Sequence, residues 1–288
     1  MRICIVTGSR ADDGLLEWPV RLMKEDPFFE VDILNLWGLK PGEAFFKSEE
    51  RFTTWTPEHV WPDMVLVLGD RYEILQSVTA AHLLRIPIAH ICGGDVTLGS
   101  YDDAMRDSIS RMASLHFVTS TSAMARLSSL GYTNIHLVGS PGIDYIRNAP
   151  WRGARPYQEP YVVVSYQAET INGTMEIGEA LNAIQGRLAV ILMPNPDRGS
   201  ERIREHVKVF AKDNPKVIVH DFLPHGEFLN LIAHCEEFIG NSSSMLYEAP
   251  ELGVKTRMIG KRQKGRTIPW GDGFASERII KILKYTHL

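Results

Sequence analysis

Short runs of apolar and β-branched residues alternate along the chain with longer stretches in which apolar residues recur at helical spacing. The first run is RICIVT at residues 2–7, and similar runs follow at 31–36, 64–68, 86–91, 116–119 and 135–138. The spacing between them predicts helices over residues 15–25, 72–84, 104–114 and 122–130. Because the strand-like runs are apolar throughout rather than alternating, they indicate a parallel sheet covered by helices on both faces.

The pattern weakens over residues 145–160, where proline, arginine and glycine accumulate, and this stretch is the best candidate for a linker. Strand-like runs then resume at 161–165, 188–193, 216–219, 238–239 and 256–259, with predicted helices over 176–185, 201–213, 226–234, 244–252 and 276–284. We therefore predict two α/β domains, 1–148 and 149–272, and a final helix in 273–288 that packs back on the first domain. Each domain is a doubly wound parallel sheet, and the cleft between two such sheets is the default ligand site.

Composition and charge restrict the class of partner. The 288 residues are 44% hydrophobic and 23% charged, which is ordinary for a globular protein, and their number favours two domains. The net charge is −4 and no basic stripe is present, so we expect no nucleic acid as a partner. No run approaches the roughly 18 apolar residues that a membrane-spanning helix needs, and the first residues do not form a signal peptide. We expect a cytoplasmic protein that does not enter a membrane.

Cysteine and histidine spacing favours neither disulfides nor a metal site. Cys4, Cys92 and Cys235 are odd in number and far apart, and each lies in or beside an apolar stretch. Buried free thiols in a reducing compartment are the expected state. The histidines, among them His59 and His287, show no paired ligand spacing with cysteine or carboxylate, so no metal is predicted. The first glycine turn lacks the full dinucleotide fingerprint, so no redox cofactor is predicted either.

Candidate binding residues follow the strand-like runs, where ligands bind in such sheets. GSRAD follows the first run: its glycine permits a tight turn, and Arg10 could bind phosphate oxygens at a helix N-terminus. An ordinary strand–helix turn with a surface arginine is an equal alternative. LGDR follows the third run, and its Asp70 is either a carboxylate at the cleft wall or half of a structural ion pair with Arg71.

The fourth run ends in a Gly-Gly turn with an acid on either side, Asp95 in HICGGDVT and Asp102 in SYDD. Asp102 and Arg106 lie four residues apart, so they share a helix face and can pair. Two acids at one turn could divide the acid and base roles of a proton transfer. Asp102 or Asp103 could instead simply be an acid that caps the next helix or is favoured by its dipole.

The sharpest local signal is GNSSS, which follows the strand-like EFI and precedes a predicted helix. Serine hydroxyls and helix N-terminal amides would form a compact phosphate cradle. Glu248, one turn into that helix, could accept both hydroxyls of a ribose. A plain capping box is the alternative. The cradle residues are Asn241, Ser242, Ser243 and Ser244.

A glycine-bounded basic loop, GKRQKGR, follows the last strand-like run. Its Arg262 and Arg266 could make further phosphate or sugar contacts. A solvated run of charge explains the same residues equally well.

In order along the chain, these motifs resemble those of the UDP-N-acetylglucosamine 2-epimerase family, in particular its hydrolysing branch. The resemblance spans nearly the whole chain: GSRAD, VLGDRYE, AHICGGDVTLGSYDDAMRDSISRMASLHFVTS, LVGSPGID, FIGNSSSMLYEAPELGV and IGKRQKGR. Each motif alone is weak, but the ordered set is quite specific. The resemblance implies two Rossmann-like halves around a cleft, as in GT-B glycosyltransferases. It also implies a UDP-sugar substrate, no cofactor, and a homodimer or homotetramer.

The resemblance further implies a reaction and a set of roles. A base removes the proton at C2 of the sugar while UDP leaves C1, giving a glycal, and water then adds to release N-acetylmannosamine. Asp70, Asp95 and Asp102 would be the acid–base set, with Arg106 orienting them. The residues that would bind the UDP-sugar are Arg10, Gln167, Leu223, Asn241, Ser242, Ser243, Ser244, Glu248, Arg262 and Arg266, of which Glu248 would hold the ribose and the backbone around Leu223 the uracil.

Several positions depart from the family pattern. Where many relatives carry His-Pro, this chain reads YQAET at 166–170, and Gln167 cannot transfer a proton as histidine can. Asp107 follows Arg106 where relatives have histidine, and Cys92 stands where an acid is often found. The chain also looks shortened between residues 36 and 56, where relatives supply a glycine- and histidine-bearing loop.

These departures leave two other functions open. One is a GT-B-like transferase that keeps the UDP-sugar cradle and passes the sugar to an acceptor. The other is a protein that binds a UDP-sugar without turnover. UDP release with free N-acetylmannosamine, UDP release only with an acceptor, and tight UDP binding without turnover would distinguish the three functions.

Overall fold

The computed structural model describes residues 1–54, 61–169, 171, 176–195, 197 and 199–286. His59, Thr170 and His287, which entered the sequence predictions, lie outside the described residues. The chain divides into two compact units. Unit 1 comprises Met1–Val96, Asp102–Asn148 and Pro269–Leu288, and unit 2 comprises Thr97–Tyr101 and Ala149–Ile268.

Unit 1 is built on a six-stranded parallel sheet with the strand order β2-β1-β3-β4-β5-β6. Its strands are β1 (Arg2–Thr7), β2 (Glu30–Asn35), β3 (Met64–Leu68), β4 (Ile88–Ile91), β5 (Leu115–Val118) and β6 (Ile135–Leu137). Each strand coincides to within two residues with an apolar run of the sequence. The prediction of a parallel sheet is therefore confirmed for this unit.

Helices follow the strands of unit 1 along the chain. They are α1 (Arg10–Glu25), α2 (Glu43–Thr53), α3 (Tyr72–Leu83), α4 (Asp103–Met112), α5 (Thr121–Ser129), α6 (Pro141–Asn148) and, numbered in chain order after the helices of unit 2, α11 (Ala275–Tyr285). None of the helices in the described part of the chain is long and apolar enough to cross a membrane.

The unit 1 sheet has an apolar core on each face because successive strand residues point to opposite sides. Ile3 and Ile5 of β1 pack with residues of α1 and α11, including the fully buried Ile279. Cys4 and Val6 face the other way and pack with residues of α2, α3 and α4. Both faces of the sheet are therefore covered, as the uninterrupted apolar runs predicted.

A buried carboxylate attaches α11 to the rest of unit 1. Asp144 in α6 accepts hydrogen bonds from the backbone N–H groups of Ala275 (3.1 Å) and Ser276 (2.6 Å) and from the Ser276 hydroxyl (2.7 Å). These donors lie in the first turn of α11, where the N–H groups have no partner inside the helix. Asp144 therefore fixes the position at which α11 begins.

Unit 2 contains a five-stranded parallel sheet with the order β11-β10-β7-β8-β9. Its strands are β7 (Tyr161–Ser165), β8 (Leu188–Leu192), β9 (Val217–His220), β10 (Glu237–Gly240) and β11 (Thr256–Met258). Its helices are α7 (Ile177–Asn182), α8 (Ser200–Asp213), α9 (His225–Ala233) and the short α10 (Glu248–Glu251). One core joins Val162 and Ile191 of the sheet to Leu181 of α7 and Val207 of α8. Both units thus have the doubly wound parallel-sheet architecture expected from the sequence.

Two helices of unit 1 were not predicted. Helix α2 lies where the chain looked like a shortened loop. Of its buried residues, Ala44, Ser48 and Phe52, one is small and one is polar, so the apolar signal is weak. Helix α6 includes residues 145–148, which were assigned to the linker. Its Pro-Gly start resembles a turn, but proline is well tolerated in the first turn of a helix, and the side chains of Ile143 and Ile146 are buried.

The single helix predicted over residues 244–252 was wrong. The structure has a 3₁₀ turn at Ser243–Met245, followed by the separate short helix α10. Pro250 restricts the preceding backbone and has no N–H to donate, which disfavours a continuous helix through this segment. The serines after β10 therefore begin a 3₁₀ turn rather than a long helix.

Replacing Gly240 with alanine should destabilise unit 2. Gly240 has φ +136°, and a Cβ there would lie 2.0 Å from the Ser165 carbonyl oxygen. The backbone conformation and the clash together should cost at least about 3 kcal/mol. Chemical unfolding of the Gly240→Ala variant measures this loss. Gly178→Ala is the matched control, because a Cβ there meets no atom within 4 Å; equal stability of the two variants would contradict the expectation.

Candidate active site

Each sheet has a topological switch point, which is where ligands bind in open α/β sheets. In unit 1 the chain reverses direction across the sheet between β1 and β3, so the turns that follow these two strands are neighbours. In unit 2 the reversal lies between β7 and β10. GSRAD and Asp70 follow β1 and β3, and Gln167 and the serines follow β7 and β10. The topology thus places these predicted residues at the two switch points.

The turn after β1 is closed by its own side chains. Ser9 caps α1, with its hydroxyl accepting a hydrogen bond from the Asp12 N–H, and the Asp12 carboxylate accepts one from the Gly8 N–H at 2.9 Å. Burial raises the pKa of Asp12 to about 6, against the opposing charge of Arg71. Arg10 is exposed, and its guanidinium lies over the ring of Trp37, 5.8 Å from the ring centroid. This turn therefore leaves the Arg10 side chain as its principal group for an anion.

A buried arginine holds together the acidic turns of unit 1. Arg106, on α4, is 2% exposed and forms ion pairs with Asp70, after β3, and with Asp103. It also donates a hydrogen bond to the backbone carbonyl oxygen of Asp95 at 2.8 Å. Because a buried guanidinium must be compensated by charge and hydrogen bonds, this arrangement fixes three chain segments around one group.

Within its own helix, Arg106 forms an ion pair with Asp103, three residues earlier; the sequence analysis had considered Asp102, four residues earlier, as a residue that can pair with it. Both spacings place an acid on the face of Arg106, so sequence spacing alone did not decide between them. Asp102 is half-buried and occupies the N-cap position of α4. Its carboxylate makes no capping hydrogen bond to the described residues of this helix.

Asp95 lies beyond the Gly-Gly turn after β4, and its carboxylate accepts a hydrogen bond from Thr119, just after β5. The Thr119 hydroxyl lies 3.1 Å from Oδ1 and 3.3 Å from Oδ2. The turn is tightly packed, because Gly94 has φ +78° and a Cβ there would lie 2.6 Å from the Ala123 carbonyl oxygen. Arg106 thus links Asp70 to the backbone of Asp95 at the carboxyl ends of neighbouring strands.

His90, at the end of β4, connects two of these segments. Its Nε2 lies 2.8 Å from the Gly69 carbonyl oxygen and its Nδ1 lies 3.0 Å from the Ser110 hydroxyl on α4. Burial lowers the pKa of His90 to about 4, so the ring is neutral near pH 7. A neutral ring donates from Nε2 and accepts at Nδ1, which matches both partners. His90 therefore supports the turn that carries Asp70 and the helix that carries Arg106.

Asp107 and Cys92, two positions that depart from the family pattern, each have a distinct structural setting. Asp107 forms a two-point ion pair with Arg126 of α5, with N–O distances of 2.8 and 2.7 Å, so it joins two helices. Cys92 is half-buried and has φ +66°, an uncommon conformation for a residue with a side chain. Cys4, Cys92 and Cys235 form no disulfide in the described structure, as predicted, although only Cys4 is fully buried.

In unit 2, Gln167 and Asn241 join the ends of β7 and β10. The Asn241 amide accepts a hydrogen bond from the Gln167 N–H at 2.6 Å and donates to the Gln167 carbonyl at 2.9 Å. The Gln167 side chain accepts from the Asn195 N–H at 2.9 Å. Asn241 is fully buried and its side chain is occupied in this way, so the structure gives it a supporting position beneath the cradle.

The three serines after β10 are half-buried, and Ser242 accepts a hydrogen bond from the Ser244 N–H at 3.3 Å. Glu248 is 8% exposed, and its Oε2 has no hydrogen-bond partner among the described residues. Burial raises the pKa of Glu248, against the Ser244 hydroxyl and the charge of Arg266. A buried carboxylate oxygen without a partner is costly, which suits a site that a ligand hydroxyl completes.

The basic loop after β11 surrounds this site within unit 2. Arg266 donates a hydrogen bond to the Tyr247 hydroxyl and lies over its ring, while Gln263 donates to the Asn241 carbonyl at 2.8 Å. Arg262 lies in the same loop and is half-buried. Leu223 lies just before α9, and its backbone N–H and C=O make no hydrogen bond to the described residues. The N–H and C=O of Leu223 can therefore hydrogen-bond to a nucleotide base.

Three residues that belong to these arrangements were not predicted. Asp103 was considered only as an acid that caps a helix, and Thr119 only as the end of a strand. Trp37 follows β2 and contacts Arg10, but a single tryptophan carries no sequence signal for such a contact. Within the described residues, no group of three or more histidine, cysteine or acidic side chains is placed to hold a metal ion.

Comparison with known proteins relates these arrangements to a family. The sequence model of a family described as UDP-N-acetylglucosamine 2-epimerase matches residues 54–268. A GDP/UDP-N,N'-diacetylbacillosamine 2-epimerase (hydrolyzing) from Campylobacter jejuni is 31% identical over 73% of this chain and 59% of its own length. A UDP-N,N'-diacetylbacillosamine 2-epimerase (hydrolyzing) from Legionella pneumophila is 31% identical over 92% of this chain and 74% of its own length. The chain thus spans less than two thirds of the first relative.

Solved structures agree with the fold. The crystal structure of UDP-GlcNAc 2-epimerase from Neisseria meningitidis bound to UDP-GlcNAc has a TM-score of 0.79 to this chain. The similarity covers 99% of this chain and 100% of that one, at 16% sequence identity. At this identity the comparison concerns the fold alone, which is the two-domain, parallel-sheet architecture described above.

Replacing His90 with glutamine should reduce the loss of stability in acid. Unfolded histidine has a pKa near 6.5, and the pKa of His90 in the fold is about 4. The unfolded chain therefore binds the extra proton between these values, and stability falls as the pH is lowered from 6.5 to 4, by about 3 kcal/mol from this residue. Urea unfolding at several pH values should show a shallower dependence in His90→Gln.

His82→Gln is the matched control, since His82 is exposed on α3. It should retain the pH dependence of the original chain. A residual slope is expected in His90→Gln, because burial also lowers the pKa of His116 to about 4. An unchanged slope in His90→Gln would show that His90 is not a neutral link between β4 and α4.

Proposed function

Because the chain belongs to the UDP-N-acetylglucosamine 2-epimerase family, we propose that it hydrolyses a UDP-linked N-acetylhexosamine to UDP and the free sugar with inverted configuration at C2. The observation that carries this proposal is the cluster in unit 1, where buried Arg106 holds Asp70 and the Asp95 backbone. A reaction that removes and returns a proton needs carboxylates at fixed positions. This cluster supplies them at the carboxyl ends of the strands.

The nucleotide would bind to unit 2. The Ser242, Ser243 and Ser244 segment offers hydroxyls and turn N–H groups to the pyrophosphate, with Arg262 and Arg266 adding positive charge. Glu248 Oε2, which has no hydrogen-bond partner among the described residues, would accept a hydrogen bond from a ribose hydroxyl. The backbone of Leu223 would pair with the uracil edge. Gln167 would support the serine segment through its hydrogen bonds with Asn195 and Asn241.

The chemistry would proceed by elimination and hydration. A base from the set Asp70, Asp95 and Asp102 takes the proton from C2, the electron pair forms the C1–C2 double bond, and the C1–O bond breaks with its electrons leaving on UDP. The Ser242, Ser243 and Ser244 segment stabilises the charge that develops on the pyrophosphate. Water then adds its oxygen to C1 and loses a proton to a carboxylate of the same set, while an acid of that set delivers a proton to the opposite face of C2.

Arg106 orients Asp70 in this scheme and does not itself exchange protons, because a guanidinium stays charged in proteins. Asp95 is held by the Thr119 hydroxyl, which fixes the direction of its lone pairs. The loss of histidine at the position of Gln167 means that the proton transfers rest on the carboxylates of unit 1. Nothing in this arrangement requires a cofactor.

The substrate class follows from the family and its members. Two relatives, each 31% identical, are named for UDP-linked N,N'-diacetylbacillosamine, and the family model is named for UDP-N-acetylglucosamine. Both sugars carry an acetamido group at C2, beside the bonds that change. We propose these two UDP-sugars as the substrates to compare first. We further propose a cytoplasmic location and a homodimeric or homotetrameric assembly, as the family resemblance implies.

Proton NMR in deuterated water tests the reaction directly. Incubation with UDP-N-acetylglucosamine or UDP-diacetylbacillosamine should release UDP and the 2-epimeric free sugar carrying deuterium at C2. Asp95→Asn should lower this turnover at least about 100-fold while UDP still binds, because the loss is of a proton-transfer group. Asp213→Asn, at an exposed position at the end of α8, is the matched control and should leave turnover unchanged. Binding of both UDP-sugars without epimerisation of either would overturn the proposal.

Replacing Glu248 with glutamine should weaken the binding of the ribose. The carboxylate of Glu248 is buried, and a hydrogen bond from a hydroxyl to a charged acceptor is worth roughly 1.5–3 kcal/mol. Isothermal titration of Glu248→Gln should therefore show UDP binding weakened by about tenfold or more. The same substitution should leave the affinity for 2′,3′-dideoxyuridine diphosphate unchanged, because that nucleotide lacks the ribose hydroxyls. Glu251→Gln in the same short helix is the control, and equal losses for both nucleotides would place Glu248 outside the ribose site.

A further inference from the structure

The motif LVGSPGID, at residues 137–144, has no part in the chemistry proposed above. It begins at the last residue of β6 and runs into α6. Gly139 has φ +90°, and a Cβ there would lie 3.1 Å from the ring Cε3 and 3.1 Å from the carbonyl oxygen of Trp270. The Ser140 N–H donates a hydrogen bond to that same carbonyl oxygen at 2.8 Å. The motif therefore receives Trp270, and its glycine leaves the room that this close approach needs.

Trp270 connects the ends of two neighbouring strands of unit 1. It lies at the start of the segment Pro269–Leu288, where the chain rejoins this unit. Its carbonyl oxygen accepts from Ser140, between β6 and α6, and its N–H donates to the carbonyl oxygen of Thr119, directly after β5, at 2.8 Å. The pairing of β5 with β6 ends at Val118, so the Thr119 carbonyl lies beyond the sheet. Trp270 thus supplies the hydrogen bond that β6 does not.

The side chain of Trp270 is held as well. Trp270 is 46% exposed, so burial accounts for only part of its position. The guanidinium of Arg278, on α11, lies over the indole, with 5.1 Å between its carbon and the ring centroid. Arg278 also donates to the Val138 carbonyl oxygen at 2.9 Å and to Asp272 Oδ1 at 2.9 Å. The indole is therefore fixed by contacts with the motif on one side and with α11 on the other.

Thr119 carries this support to a carboxylate of the proposed acid–base set. It is 1% exposed, and its hydroxyl oxygen lies 3.1 and 3.3 Å from the two carboxylate oxygens of Asp95. A β-branched side chain has few χ1 rotamers, so the position of the hydroxyl follows the backbone of Thr119, which the Trp270 N–H holds. Hydrogen bonds thus run in series from Ser140 through Trp270 and Thr119 to Asp95, and all four residues belong to unit 1.

We propose that Trp270 is a positioning residue, which acts through Thr119 to set the direction of the Asp95 carboxylate. Attachment of α11 does not account for these contacts, because Asp144 already binds that helix through its first-turn N–H groups. The proton-transfer role of Asp95 rests on the proposed function. The series of hydrogen bonds does not, so it can be tested in protein without substrate.

Carbon-13 NMR of the Asp95 carboxylate tests the series without turnover, with the resonance of aspartate-labelled protein assigned by Asp95→Asn. Thr119→Val keeps the shape of the side chain but removes the hydroxyl donor, so it should move the resonance, and Thr119→Ser should move it far less. Trp270→Ala, and to a smaller extent Trp270→Phe, should move it in the same direction as Thr119→Val. Trp61→Ala is the matched control and should leave it in place, since Trp61 is 44% exposed and precedes β3, at the opposite end of the sheet.

Turnover of the UDP-sugar gives a second measurement. Thr119→Val should lower kcat about tenfold, the size expected when one hydrogen bond no longer directs a reacting group, and Thr119→Ser should restore most of the activity. Trp270→Ala should lower kcat roughly three- to tenfold by itself. It should add no further loss in a Thr119→Val background, because both changes act on Asp95 by the same route. The affinity for UDP should stay unchanged, because the proposed nucleotide site lies in unit 2.

Three results would each overturn the inference: an Asp95 resonance that neither Trp270→Ala nor Trp270→Phe moves, losses of turnover that add in the double variant, or a loss of UDP affinity that matches the loss of turnover. An Asp95 resonance that responds as expected, in a protein that epimerises neither UDP-sugar, would sustain the inference and reject the proposed function.

Discussion

The organisation of unit 1 depends on the burial of one positive charge. Arg106 is almost fully enclosed, and a guanidinium cannot lose its proton to escape the cost of leaving water. It is therefore compensated by Asp70, Asp103 and the Asp95 carbonyl, which come from the turn after β3, from its own helix and from the turn after β4. Removing any one of these partners would leave a buried N–H group of the guanidinium without its acceptor, so the turns are held more firmly than loops usually are.

The fold was largely predictable because parallel strands covered on both faces must be apolar along their whole length. The runs at 2–7, 64–68 and 161–165 matched strands β1, β3 and β7 residue for residue. The prediction of helices was less reliable where the burial of a helix depends on a neighbour far away in the sequence. Helix α6 packs against α1, more than a hundred residues earlier, and its Pro-Gly start gave the opposite local signal. No pattern within eight residues contains that information.

For the candidate site, sequence reasoning identified the turns but not the partners of each side chain. Asp70 and Arg106 are 36 residues apart, and their pairing follows from the adjacency of β3 and β4 together with the position of α4. The pairing of Asp103 with Arg106 depends on the start and direction of one helix. Asn241 was grouped with the serines because it precedes them, yet its side chain turns towards Gln167. Such choices are made by tertiary packing, which spacing along a chain does not specify.

The position of α11 in the chain has a consequence for synthesis. Ile279 and Leu283 of this helix complete the core on one face of the unit 1 sheet, but they are translated after every strand and helix of unit 2. While the ribosome makes those intervening residues, Ile3, Ile5 and Leu66 lack part of their apolar cover. Exposed apolar surface on a partly folded sheet is what molecular chaperones bind and what promotes aggregation. The nascent chain thus passes through a vulnerable interval that ends only when α11 reaches Asp144.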